Sequence, residues 1–113
     1  MEQLTHKITL FVPSTYEGNK PAKRLQKKVA RKAASRFSVL FGGATATNAV
    51  GFWMSKEKGL IPEKQILISS NCTASDKAAK LENVLSFAKA ICKYMKQEAV
   101  SVEIDNVLQF VEA

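Results

Sequence analysis

Ile8, Leu10 and Val12 alternate over residues 5–12, the two-residue period of a β-strand, and Pro13 ends the ladder because it has no N–H to donate. Residues 13–20 read as a loop from their Pro, Ser, Gly and Asn content. The period then changes. Ala22, Leu25, Val29, Ala33, Phe37 and Leu40 recur at spacings of three and four, one apolar stripe of an amphipathic helix running to about Leu40. Asn19 is expected as its N-cap and Pro21 in its first turn. Gly42 and Gly43 supply the stop, since glycine takes the left-handed conformation at a helix end.

Thr45, Thr47, Val50, Phe52 and Trp53 favour a second strand over residues 44–54, with Gly51 marking a bulge or a close backbone approach. Residues 55–64 are polar, carry Gly59 and Pro62, and read as a loop. Residues 65–70, centred on Ile66, Leu67 and Ile68, are expected as a third strand, buried on both faces or near the sheet centre. Thr73 to Asp76 fits a loose capping box, with Asp in place of Glu. The helix it opens runs to about Gln97 on a stripe of Ala78, Leu81, Leu85, Ala88, Ile91, Cys92 and Met95. Val100, Val102 and Ile104 alternate as a fourth strand. Asp105 and Asn106 suit a two-residue hairpin turn, and residues 107–111 give a short fifth strand or a terminal helical turn.

The order β-α-β-β-α-β with a short C-terminal extra strand predicts an α+β, ferredoxin-like sandwich, with an antiparallel sheet and two helices on one face. The 113 residues suit a single domain over residues 1–113. Hydrophobic residues at 46% and charged residues at 24% are those of a globular chain, which excludes disorder and coiled coil. No apolar run reaches a membrane span of about 20 residues. The N-terminus is polar until Ile8, so no signal peptide is expected and the setting is cytoplasmic.

Charge changes the picture more than composition does. The net charge is +7, and residues 20–36 hold eight of the 17 basic side chains and no acid. Lys23, Lys27 and Arg31 lie four apart, and Arg24, Lys28, Lys32 and Arg36 form a second row beside them. With Lys20, these residues predict a surface for an acidic partner, through salt-sensitive contacts to phosphates if that partner is RNA or DNA. Phe52 and Trp53 form a second candidate surface, an interface for a partner protein or a second copy, as open ferredoxin-like sheets often provide. The Lys/Arg-Gly-aromatic signature of RNA-recognition strands is missing from the third strand.

The catalytic inventory is thin. Cys72, before a helix N-terminus, could act as a nucleophile only if the first strand brought His6, the one histidine, to the same edge. Cys92 falls on an apolar helix face. One histidine and two separated cysteines make no standard zinc site. Neither Glu57 with Glu63 nor Glu103 with Asp105 suggests two-carboxylate chemistry. Gly42-Gly43 lacks the Lys-Ser/Thr of a phosphate loop. No metal or cofactor is expected.

Phe41-Gly-Gly-Ala-Thr followed by Ala49-Val-Gly-Phe-Trp53 resembles a pattern in small uncharacterised α/β proteins of phages and plasmids. The chain is also similar in size and style to anti-CRISPR antagonists of host defence. That resemblance carries no residue roles. Together with the basic helix, it leads to the expectation of a non-enzymatic binding protein of a mobile element that engages RNA, DNA or a CRISPR effector and its guide. The alternatives are a protein–protein module or homodimer on the Phe52/Trp53 region and, more distantly, a small cysteine-dependent enzyme.

Overall fold

The computed structural model of the chain describes residues 3–17 and 20–113. The elements are β1 (His6–Val12), β2 (Thr15–Tyr16), β3 (Lys20–Pro21), α1 (Lys23–Phe41), β4 (Thr45–Ser55), β5 (Gly59–Cys72), α2 (Ala74–Tyr94), β6 (Val100–Ile104) and β7 (Val107–Val111). Five strands make one sheet in the order β4-β5-β1-β6-β7, with every neighbouring pair antiparallel. This is the ferredoxin-like order, with β7 added outside β6; the C-terminal segment is a strand.

Both helices cover the sheet face that carries Ile8, Leu10, Val12, Ile68, Cys72, Val100, Val102 and Ile104, all buried against Val29, Ala33, Phe37, Val84, Ala88, Ile91 and Met95. The predicted stripe of α1 holds at its centre. Gln26 joins it, because its buried amide donates to the carbonyls of Val12 and Lys64, both at 3.2 Å. The opposite sheet face, with Phe11, Leu67, Leu108 and Phe110, has no covering layer among the described residues.

Helix boundaries differ from expectation at two ends, the start of α1 and the end of α2. Pro21 pairs with Thr15 in the small β2–β3 sheet, so α1 begins at Lys23 behind Ala22, which makes no side-chain cap. Asn19 lies outside the described residues. At the other end Gly42 adopts φ +89° and its N–H reaches the Ser38 carbonyl, as a glycine stop should. α2 is capped by Thr73, whose Oγ1 accepts from the Asp76 N–H at 3.1 Å, and ends at Tyr94 rather than Gln97.

Residues 55–64 are mostly not a loop. β4 and β5 run in unbroken register from Thr45↔Ser69 to Ser55↔Gly59 and close at Lys56–Lys58, where the Ser55 hydroxyl accepts from the N–H groups of Glu57 and Lys58. β1 pairs with β5 only as far as Val12↔Ile66. The first seven residues of β5 therefore have one neighbour, and Pro62 is tolerated because no third strand needs its N–H. Gly51 sits in register with Glu63 without a bulge, and a Cβ there would meet the Gln65 side chain at 3.4 Å. The overhanging ribbon helps to give the molecule its 50 × 23 × 22 Å extents.

Candidate functional site

One end of the sandwich collects the start of β1, the end of β5, the end of β6, the start of β4, the C-terminus of α1 and the N-terminus of α2. β4 starts opposite Ser69, whereas β5 continues beside β1 to Cys72. This step in the sheet edge leaves Ser70 and Asn71 without a β4 partner. The turn out of α1 runs alongside, and a shallow crevice of about 380 Å³ opens between them. It is lined by Leu4, the run Phe41–Thr45, and Ser69, Ser70 and Asn71. Its size falls within the range of small-molecule sites. None of these residues is ionisable.

The turn has defined supports. Ser70 Oγ donates to the Gly43 carbonyl at 2.6 Å. Lys80, from α2, donates to the Leu40 carbonyl at 2.6 Å and sets a positive charge on the negative end of the α1 dipole.

A charged network stands at the same end. The Asp105 carboxylate receives Lys77 Nζ at 2.5 Å, His6 Nδ1 at 2.7 Å and the Lys7 N–H at 2.9 Å. A carboxylate only accepts, so the His6 hydrogen sits on Nδ1. The Lys77 ammonium above all, then His6 and the Lys7 N–H, hold Asp105 well below the usual carboxylate range. Asp105 and Asn106 take φ of +51° and +69°, which suits the predicted hairpin turn.

The register does bring His6 opposite Cys72. The pairing does not make a nucleophile. The His6 ring is committed to Asp105, and the thiol is buried. Burial first, then the nearby charges of Asp105 and Asp76, pushes Cys72 above its ordinary pKa. Cys92 is buried, with its Sγ 3.1 Å from the Gln97 carbonyl. No group of three metal-ligating side chains occurs among the described residues.

Lys20, Lys23, Arg24, Lys27, Lys28, Arg31, Lys32 and Arg36 are all exposed. Lys20 pairs with Glu17 at 2.9 Å, and the Arg36 guanidinium lies 5.2 Å from the Phe87 ring centroid. The other six have no salt bridge among the described residues. They run along α1 away from the crevice, which lies past its C-terminal end. Phe52 and Trp53, 63% and 51% exposed, lie on opposite faces of the overhanging ribbon, also apart from the crevice.

No protein-family model matches the sequence, and no curated protein matches it. The fold does match solved structures. A phage SAM lyase in complex with S-methyl-5'-thioadenosine and a phage SAM lyase in the apo state each superpose with 21% identity over 100% of this chain and 95% of theirs, at TM-scores of 0.64 and 0.65. The likeness is one of fold from end to end. It agrees with the phage character of the resemblance noted above and lends nothing to anti-CRISPR antagonism.

This finding corrects the expected function. Both of these solved structures are SAM lyases by name, and one holds a thioadenosine. The expectation of a non-enzymatic binder of RNA, DNA or a CRISPR effector is therefore withdrawn, along with those partners. Neither helix is long and apolar enough to cross a membrane, among the described residues.

The residues that sequence reasoning missed are Leu4, Ser69, Ser70, Asn71 and Lys80. The available signal was the Phe41–Thr45 run, which was legible as a helix stop and also forms one wall of the crevice.

Proposed function

We propose that this protein is a lyase that cleaves S-adenosylmethionine and releases S-methyl-5'-thioadenosine. The observation that carries this conclusion is the end-to-end likeness to phage SAM lyase, one structure of which holds that thioadenosine. The crevice supports it. Leu4 and Phe41 offer apolar surface to a purine, and Thr45, Ser69 and Asn71 offer hydroxyl and amide groups to base edges and ribose. The glycine pair lets a ligand approach the backbone closely. A neutral wall suits a neutral nucleoside.

The chemistry suits such a wall too. The bond between the sulfonium sulfur and the γ-carbon of the methionyl chain breaks, and its electron pair stays on sulfur. A lyase adds no water, and no ionisable side chain lines the crevice to take a β-proton for an elimination, so the four-carbon fragment closes on itself. Its own carboxylate oxygen attacks the γ-carbon and forms a lactone, and no proton needs to be removed by the protein. The carboxylate and sulfonium charges cancel as the bond forms. An uncharged wall gives neither charge an ionic partner in the ground state, so nothing there opposes their cancellation as the bond forms. On this reading the enzyme acts in the cytoplasm of the host.

The test is product analysis by liquid chromatography and mass spectrometry after incubation with S-adenosylmethionine. Thioadenosine and homoserine lactone should form one for one with substrate lost. Unchanged substrate, or S-adenosylhomocysteine in place of thioadenosine, would overturn the proposal.

A further inference from the structure

Gly42 and Gly43 are exposed, between Leu40 and Phe41 on one side and Ala44 on the other, which pack against the core. A Cβ built at either glycine meets nothing within 4 Å. The glycine pair has no side chain of its own to pack, and glycine gives its backbone wide freedom between those anchored residues. Three hydrogen bonds hold the turn. The Gly42 N–H to the Ser38 carbonyl, at 2.8 Å, is the ordinary helix end. The other two are long-range and come from side chains on different elements: Ser70 of β5 to the Gly43 carbonyl, and Lys80 of α2 to the Leu40 carbonyl, both at 2.6 Å.

The two carbonyls bracket the glycine pair. Ser70 is 3% exposed, so its hydroxyl has little water to compete for it. Lys80 is itself steadied by Asp76, whose Oδ1 lies 3.5 Å from the ammonium, one turn back on α2. Lys80 does not line the crevice. Its effect on a ligand there can only pass through the turn.

We infer that Ser70 and Lys80 are positioning residues for the nucleoside site, clamping the Leu40–Gly43 segment so that one wall of the crevice keeps its shape when substrate arrives. This rests on the assignment of the crevice as the thioadenosine site. Without either clamp, the turn samples other conformations, and the binding-competent one is only a fraction of the population. Apparent affinity falls by that fraction, while the reacting groups of a bound substrate are unaffected.

Titration calorimetry with S-methyl-5'-thioadenosine, alongside kcat and KM for S-adenosylmethionine, tests this on the full chain. Ser70→Ala and Lys80→Met each lose one hydrogen bond, so Kd and KM should rise about tenfold in each. kcat should stay within about twofold, and Lys80→Arg, which keeps a donor, should recover most of the affinity. Thermal melts identify variants that do not fold. If Ser70→Ala is among them, Lys80→Met against Lys80→Arg makes the comparison alone. Native affinity in the truncated variants, or equal weakening by Lys80→Arg and Lys80→Met, would overturn the inference and leave the crevice as the site. Failure of the unaltered protein to bind thioadenosine would overturn both.

Discussion

Gly42 and Gly43 are adjacent, share one crevice wall and have the same open surroundings, yet valine at the two positions should have opposite consequences. At Gly43 the backbone lies outside the left-handed region and a Cβ meets nothing within 4 Å. Valine there introduces no strain and narrows the unfolded ensemble, so stability should be unchanged or should rise by about 0.4–1 kcal/mol. At Gly42 φ is +89°, where a side chain crowds the following carbonyl. Valine there should cost about 1–2 kcal/mol. For a chain of this size that is a fall in Tm of roughly 4–12 °C. Function should split the other way. Gly43→Val projects a branched side chain from the crevice wall in a protein that remains folded, so thioadenosine binding should fall at least tenfold without loss of stability. Differential scanning calorimetry and titration calorimetry on the two variants read both quantities. A stable Gly43→Val protein that binds thioadenosine as the unaltered protein does would refute the placement of the site in this crevice.

Three further outcomes are expected. Arg24→Glu places the first acid in the opening turn of α1, where none now faces the positive end of the dipole, and sets a Glu four residues before Lys28. It should raise stability by about 0.5–1 kcal/mol in urea unfolding and leave S-adenosylmethionine cleavage unchanged. Gln26→Ala strips the partner from the Val12 and Lys64 carbonyls and should cost about 2–4 kcal/mol by the same unfolding assay. Asp105 is held below the usual carboxylate range in the folded protein, so its stabilisation is present above about pH 4 and is lost as pH falls through its native value. Asp105→Asn should therefore flatten the acid limb of a plot of urea midpoint against pH; an unaltered limb would remove that role.

The helices and central strands were legible because their faces differ. Val29, Ala33 and Phe37 repeat at helical spacing, and Ile8, Leu10 and Val12 alternate, since one side of each element packs on the other. The ribbon was not legible for the opposite reason. Residues 59–65 have one neighbouring strand and none is buried; Glu63 and Gln65 share the half-covered face with Ile61, so no apolar alternation marks them, and Pro62 and Gly59 suggest a loop. Pro21 misled because its fixed φ suits a first helical turn and a short strand pair equally well. The site was hidden more deeply. The Phe41–Thr45 run meets Ser69, Ser70 and Asn71 only through the β4–β5 register, a contact between distant positions. Catalytic motifs are searched for as titratable side chains, and this crevice has none. The basic face of α1, by contrast, is conspicuous in sequence and stands apart from the crevice.

The central claim is cleavage of S-adenosylmethionine at the Phe41–Thr45 crevice. Its most direct measurement is the rate of thioadenosine release by the unaltered protein beside a folded Gly43→Val variant. The account predicts release by the first, one thioadenosine for each substrate consumed, and a loss of at least tenfold in kcat/KM in the second. No release by the unaltered protein, or equal rates from the two, would contradict it.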